Sequence, residues 1–327
     1  MAKRLSEIVD FSKLPEDTKE MIKLLPPEGE QALVEMYDKD SDFIKYGAPD
    51  KIAQNFLLDN EDTILCHYTN YDNLPSILEN KKFWIKSKSY MNDPQEFEYT
   101  YVLGKEILKD LGASTAEIDQ FVSLTESVNF DAYIWSFSEN INSQALWGNY
   151  GSNNGIALKM KKKEIMFNLA KHFAKGKISL EDYEVGNAYV FPLKVLYDLK
   201  EQKLRLSAVL SQFLRALRSL KFDPYDMQEI IKDCLGTLSL YAFILKNPLL
   251  YQEEEIRFII NNIIENNQIS PEFKINNTPF VSCPISKDLI SEVVIKTGSN
   301  ISNTEVEELL VKYGFDNVKV SNSLLPY

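Results

Sequence analysis

Residues 251–260 read YQEEEIRFII, three glutamates and an arginine at the head of a run that ends as an apolar strand. Charge is poor strand material, because a half-buried pleated surface favours β-branched and aromatic side chains. With the two-residue period of a strand, Tyr251, Glu253, Glu255 and Arg257 fall on one face. Gln252, Glu254, Ile256, Phe258 and Ile260 fall on the other. Two carboxylates on one cleft wall can divide two tasks, one holding a developing positive charge and the other moving a proton. The plainer reading is an exposed sheet face with a surface ion pair, the commoner fate of such clusters.

Two further segments pass the same period-2 test. In TILCHYT, Leu65, His67 and Thr69 share a face, and Ile64, Cys66 and Tyr68 share the opposite one. In YIWSFSEN, Ile134, Ser136 and Ser138 lie opposite Tyr133, Trp135 and Phe137. If these strands lie in one half of a sheet, His67, Ser136 or Ser138, and the Glu253/Glu255 pair are expected to line one crevice. Each has a plainer reading: His67 as a satisfied structural histidine, the serines as tolerated strand residues. Trp147 and Tyr150 of LWGNYG read more readily as core anchors than as ligand stackers. In MNDPQEF, Asn92 and Asp93 are candidate polar groups beside Glu96, but Asn-Asp-Pro is also a turn signal in which Asp93 caps and Pro94 starts a helix.

The elements that must position these residues follow from the pattern along the chain. Residues 1–60 are acidic and helical, broken by Leu-Pro-Pro at 25–27 and by Gly47-Ala-Pro, and are expected to form an N-terminal helical cap. From residue 61 to 327 a second domain is expected. DTILCHYTN reads as a strand, YDNLPSILENKKFWI as a short helix and strand, and 95–128 as helix with Ser114 or Thr115 capping ahead of Glu117. SQALWGNYGSNNGIALKM reads as a short helix or turn, a loop and a strand; the tail from LISEVVIKTG reads as strand, helix, strand. Residues 161–246 are mostly helical and are expected as an insertion between strands of one sheet. The fold class predicted is α+β.

Composition bounds the chemistry. The chain has 327 residues, 44% hydrophobic and 12% aromatic, enough for a sizeable core. Its formal charge of −12 disfavours nonspecific adhesion to nucleic acid or anionic lipid. The locally basic stretch 194–221 could hold phosphates, although its helical spacing favours a solvated helix face. Cys66, Cys234 and Cys283 show no metal-ligand or disulfide spacing, and the opening residues lack an apolar signal core, so a cytoplasmic protein without a membrane partner is expected. Two histidines in the whole chain, His67 and His172, leave no multi-histidine metal site. Glycine-rich phosphate loops, HExxH and a serine nucleophile elbow are all missing.

The fragments HYTNYDNLPSIL, SYMNDPQEF, FSEN, LWGNY, EEEIR and VSNSLLPY occur in an order that resembles a widespread bacterial family. Its pattern is HYT, NDPxE, FSE, WxxY, ExExR and SxxPY, and the likeness covers residues 62–327 in pieces. That family in turn resembles the ADP-ribosyltransferase superfamily. The resemblance implies a split β-sheet core, NAD⁺ as substrate, no metal, and ADP-ribose transfer to a macromolecular acceptor. By its family context it also implies a toxin-like or phage-defence role. Glu255 would then stabilise the ribosyl cation, and Glu253 would orient or deprotonate the acceptor. His67, with Tyr68 and Thr69 of the same motif, would hold ribose, while Ser136 or Ser138 would position the nicotinamide ribose. Trp147 or Tyr150 would stack on nicotinamide, and Arg257 would keep a carboxylate ionised. The WxxY segment departs from the superfamily pattern. Two other readings stand beside transfer: NAD⁺ glycohydrolysis, and a non-catalytic nucleotide- or peptide-binding regulatory protein.

Overall fold

The structure, a computed structural model, describes residues 3–91, 94–127, 132–151, 153–173, 189–261, 271–273 and 275–325. It is mixed α+β and divides into two compact units, each assembled from three stretches of chain. The first takes Met1–Phe56, Gln95–Asn129 and Leu196–Pro248; the second takes Leu57–Pro94, Phe130–Val195 and Leu249–Tyr327.

The first unit is helical. Leu-Pro-Pro ends the helix Glu16–Leu24 and starts Pro27–Tyr37 with proline at its first position, where the missing N–H costs nothing. Two 21-residue helices, Leu199–Ser219 and Pro224–Ile244, carry the core through Leu206, Phe213, Ile230 and Leu238, all buried. The arginines of the basic stretch are engaged within this unit. Arg205 lies over the rings of Tyr46 and Phe56, Arg215 faces Glu35, and Arg218 pairs with Glu117 and Glu28. The division falls differently from the sequence reading. Residues 1–60 are not a separate cap, and 161–246 is not one insertion. The two long helices bury their apolar stripes against Pro27–Tyr37 and Tyr99–Asp110, partners far away in sequence.

Among its described residues the second unit holds ten strands: β1 Ile64–Asn70, β2 Lys82–Lys86, β3 Ala132–Ser138, β4 Gly155–Lys161, β5 Tyr189–Lys194, β6 Glu255–Asn261, β7 Glu272–Phe273, β8 Pro279–Pro284, β9 Glu292–Ile295 and β10 Lys319–Asn322. Seven form a sheet in the order β10-β9-β4-β1-β3-β6-β5, and three form a smaller sheet, β2-β8-β7. Among the strand pairs of the described residues, β9–β10 is parallel and the others are antiparallel. β5, expected within the helical insertion, is instead the edge strand beside β6.

Strand alternation sorts the side chains. Leu65, Trp135, Phe137, Leu158 and Phe258 enter one large core together with Phe83, Ile85 and Val281 of the small sheet. Cys66, Tyr68, Ala157 and Val294, from the opposite face, form a smaller cluster with Leu146 and Trp147 of the helix Gln144–Gly151.

β1 and β3 are joined at a single residue pair, Cys66 opposite Ser138. At its other end β3 is bridged to Ser87, just past β2, through Tyr133. Between those points the two strands part.

Candidate functional site

A cavity of about 430 Å³ occupies the parting of β1 and β3, within the size range of small-molecule sites. Consecutive residues of both strands line it, Cys66 to Thr69 and Ile134 to Phe137. An intact ladder would present only alternate residues to one side. β2 adds Lys82 to Lys86, and Glu253, Glu255 and Tyr150 complete the lining relevant to chemistry.

The carboxylates sit differently from the sequence reading. The strand begins at Glu255, not at Tyr251; Glu253 closes a 3₁₀ turn, Pro248–Glu253. Between them Glu254 has φ +44°, left-handed backbone that costs a non-glycine residue on the order of 1 kcal/mol or more. Glu253 and Glu255 are therefore not neighbours on one extended face, yet both reach the cavity wall. Side-chain bonds hold the reversal. Asn140 Nδ2 donates to Glu254 Oε1 at 3.0 Å, and Ser143 Oγ donates to the Gln252 carbonyl at 2.8 Å. Asn140 N in turn donates to Ser138 Oγ at 3.0 Å.

Both cavity glutamates are buried, at 9% and 7% exposure, an expensive state for a carboxylate without partners. Arg257, fully buried two residues along β6, donates Nη2 to Glu255 Oε2 at 2.9 Å. This i,i+2 pair is the one the strand period predicts.

His67 and the serines part company. Cys66 stands opposite Ser138, and directly opposed residues of an antiparallel pair share a face. His67 is therefore on the face of Phe137, away from the Ser136 and Ser138 side chains. Its ring packs against Phe83, Trp135 and Phe137. His67 Nδ1 lies 2.9 Å from the Ser136 carbonyl. A carbonyl only accepts, so Nδ1 carries the proton and Nε2 is left as the acceptor. The imidazole thus takes the carbonyl that β1 no longer pairs, and it reaches the cavity because the strands have parted. Burial holds its pKa below the ordinary value, so the ring is neutral at pH 7.

Of the two serines, Ser136 lines the cavity, and its Oγ is buried with no hydrogen-bond partner among the described residues. Ser138 is fully buried and serves the turn through Asn140. Thr69 lines the cavity and accepts from Asn73 at 3.1 Å. Tyr68 also lines it, with its hydroxyl donated to the Asn140 carbonyl at 2.5 Å and its pKa raised by burial.

The aromatic pair also divides. Tyr150 faces the cavity and is partly exposed. Trp147 does not line it: the ring packs edge-on against Tyr68 at 4.8 Å, and Nε1 donates to the Ile141 carbonyl at 2.9 Å. The core-anchor reading describes Trp147, because the helix Gln144–Gly151 turns it inward. Asn92 and Asp93 lie outside the described residues. Glu96 is paired with buried Lys246 at 2.7 Å inside the helical unit.

Sequence reading missed the basic side of the site. Lys82, Trp84 and Lys86 alternate with Phe83 and Ile85 in KKFWIK, a period-2 signal as legible as the others. Cys66 also lines the cavity, but burial pushes its thiol up to about 12, so it is no nucleophile at neutral pH. Among the described residues no group of three or more His, Cys, Asp or Glu is placed to hold a metal ion, and no helix is long and apolar enough to cross a membrane.

No family model, curated protein or solved structure matches the chain.

Proposed function

We propose that this chain cleaves the nicotinamide N-glycosidic bond of NAD⁺ and passes ADP-ribose to a macromolecular acceptor. The observation that carries this reading is the pair of buried carboxylates, Glu253 and Glu255, on the wall of a cavity between parted strands, with Arg257 locked to Glu255. The bond from ribose C1′ to the pyridinium nitrogen breaks heterolytically. Nicotinamide leaves neutral with the bonding pair, and the ribosyl carbon becomes oxocarbenium-like. Glu255 stabilises that charge, as a carboxylate does in glycoside chemistry. Its ion pair with Arg257 favours the ionised form that this task needs. The acceptor then attacks C1′ and loses its proton to Glu253. Neutral His67 offers Nε2 to a ribose hydroxyl, Ser136 Oγ offers a second partner, and Tyr150 provides an aromatic face for nicotinamide.

The test is nicotinamide release from NAD⁺, with and without cell lysate, for the wild-type chain and for Glu255→Gln and Glu253→Gln, each checked for fold by circular dichroism. Release that depends on lysate is expected of transfer, and release without it of hydrolysis. In Glu255→Gln turnover falls at least 100-fold while NAD⁺ binding persists. A wild-type chain that neither releases nicotinamide nor binds NAD⁺ by calorimetry overturns the proposal.

A further inference from the structure

The cavity that holds the two glutamates is bipolar. Opposite in charge to Glu253 and Glu255, β2 contributes Lys82, Trp84 and Lys86 at alternate positions, all three on the lining. Phe83 and Ile85, from the other face of the same strand, also reach the lining but are buried in the main core, which fixes the strand. Trp84 is 40% exposed, an unusual state for the largest side chain, and is steadied by Phe280 at a ring separation of 5.5 Å. Lys82 faces Glu272 at 3.7 Å, a pair of partly exposed groups at the outer end of the stripe. Lys86, half-buried, has no ion-pair partner among the described residues. At strand spacing the two lysines are roughly 13 Å apart along the backbone, with the indole between them.

We infer that this stripe is the adenosine-diphosphate half-site: Lys86 and Lys82 neutralise the pyrophosphate, and Trp84 stacks on the adenine. The inference rests on the NAD⁺ reading and supplies what that reading lacks. NAD⁺ carries a cationic nicotinamide ring at one end and two phosphate charges in its middle. A cleft with carboxylates alone would repel the second. In a chain of net charge −12, cations on the cavity wall are the feature that needs a cause. An ammonium serves as a point charge for phosphate, and an exposed indole offers a flat face to any base.

The experiment is calorimetric titration of ADP into the full chain, wild-type and carrying Lys86→Gln or Trp84→Leu, with folding checked by circular dichroism. ADP is expected to bind the wild type and at least tenfold more weakly to each variant, and to quench tryptophan fluorescence except in Trp84→Leu. With NAD⁺ as substrate, both variants raise KM about tenfold and change kcat little, since they remove binding common to ground and transition states. Wild-type chain that does not bind ADP, or binds it equally in all three forms, overturns the half-site. Nicotinamide release from a chain indifferent to Lys86 and Trp84 sinks the half-site and leaves the reaction standing. Lys86-dependent ADP binding without any release sinks the reaction and leaves the half-site.

Discussion

His67 has its ring position and its tautomer set by the same bond. The donation from Nδ1 to the Ser136 carbonyl satisfies a backbone group left over where β1 departs, and it selects the tautomer that leaves Nε2 as the acceptor. Because burial lowers its pKa from 6.5, the unfolded chain binds this proton at a higher pH than the folded chain does. Stability from the neutral ring is complete above about pH 6.5 and is lost as pH falls through the interval down to the folded value. His67→Gln keeps an N–H donor and removes the titration. Urea unfolding between pH 5 and 8 should therefore show a shallower loss of stability toward acid in the variant. Equal slopes would remove the imidazole from the account.

Element ends are where local chemistry and tertiary packing meet. Ser114 caps the helix Thr115–Ser127 by exchanging bonds with Glu117, as the Ser-x-x-Glu spacing predicts. Glu117 has a second partner that no local pattern reveals: Arg218, whose Nε donates to it at 2.6 Å from the far end of Leu199–Ser219. That bond, before any other cause, lowers the carboxyl to about 2. Its stabilisation is present above about pH 4.5 and disappears as pH falls toward about 2. Glu117→Gln should cost on the order of 1 kcal/mol at pH 7, a cap and one partly exposed pair. The gap from wild type should close on acidification through that window. Thermal melts at pH 7 and pH 3 give the comparison, and a pH-independent gap would assign the loss to packing alone.

At the scale of the molecule, the chain crosses between its two units repeatedly, and the chemistry-bearing residues fall in one of them. Hydrogen exchange with and without NAD⁺ tests whether ligand contact follows that division. Slower exchange is expected in β1, β2, the start of β6 and the outer half of β3. The helices Pro27–Tyr37 and Leu199–Ser219 are expected to exchange unchanged. Protection confined to the helices would move the ligand away from the cavity described. The arginines of the helix Leu199–Ser219 are poor competing phosphate ligands, since Arg205, Arg215 and Arg218 already face rings or carboxylates.

Period and capping determined much of this protein in advance. The strand alternation of β1, β3 and β6, the breaks at Leu-Pro-Pro and Gly47-Ala-Pro, and the Ser114 box are all consequences of neighbours within a few residues. So is the Glu255–Arg257 pair, because two residues along a strand return to the same face. Three things were decided only by tertiary structure. The register of Cys66 opposite Ser138 put His67 and the serine side chains on opposite faces, and no single strand encodes its register against another. The left-handed turn at Glu254 is held by Asn140, more than a hundred residues away, so the strand starts four residues later than its pattern suggests. The parting of β1 from β3 makes the cavity, since it brings consecutive residues of both strands, the β2 lysines and two buried glutamates around one space. Side-chain period is a property of one segment; a gap between strands belongs to how several segments pack.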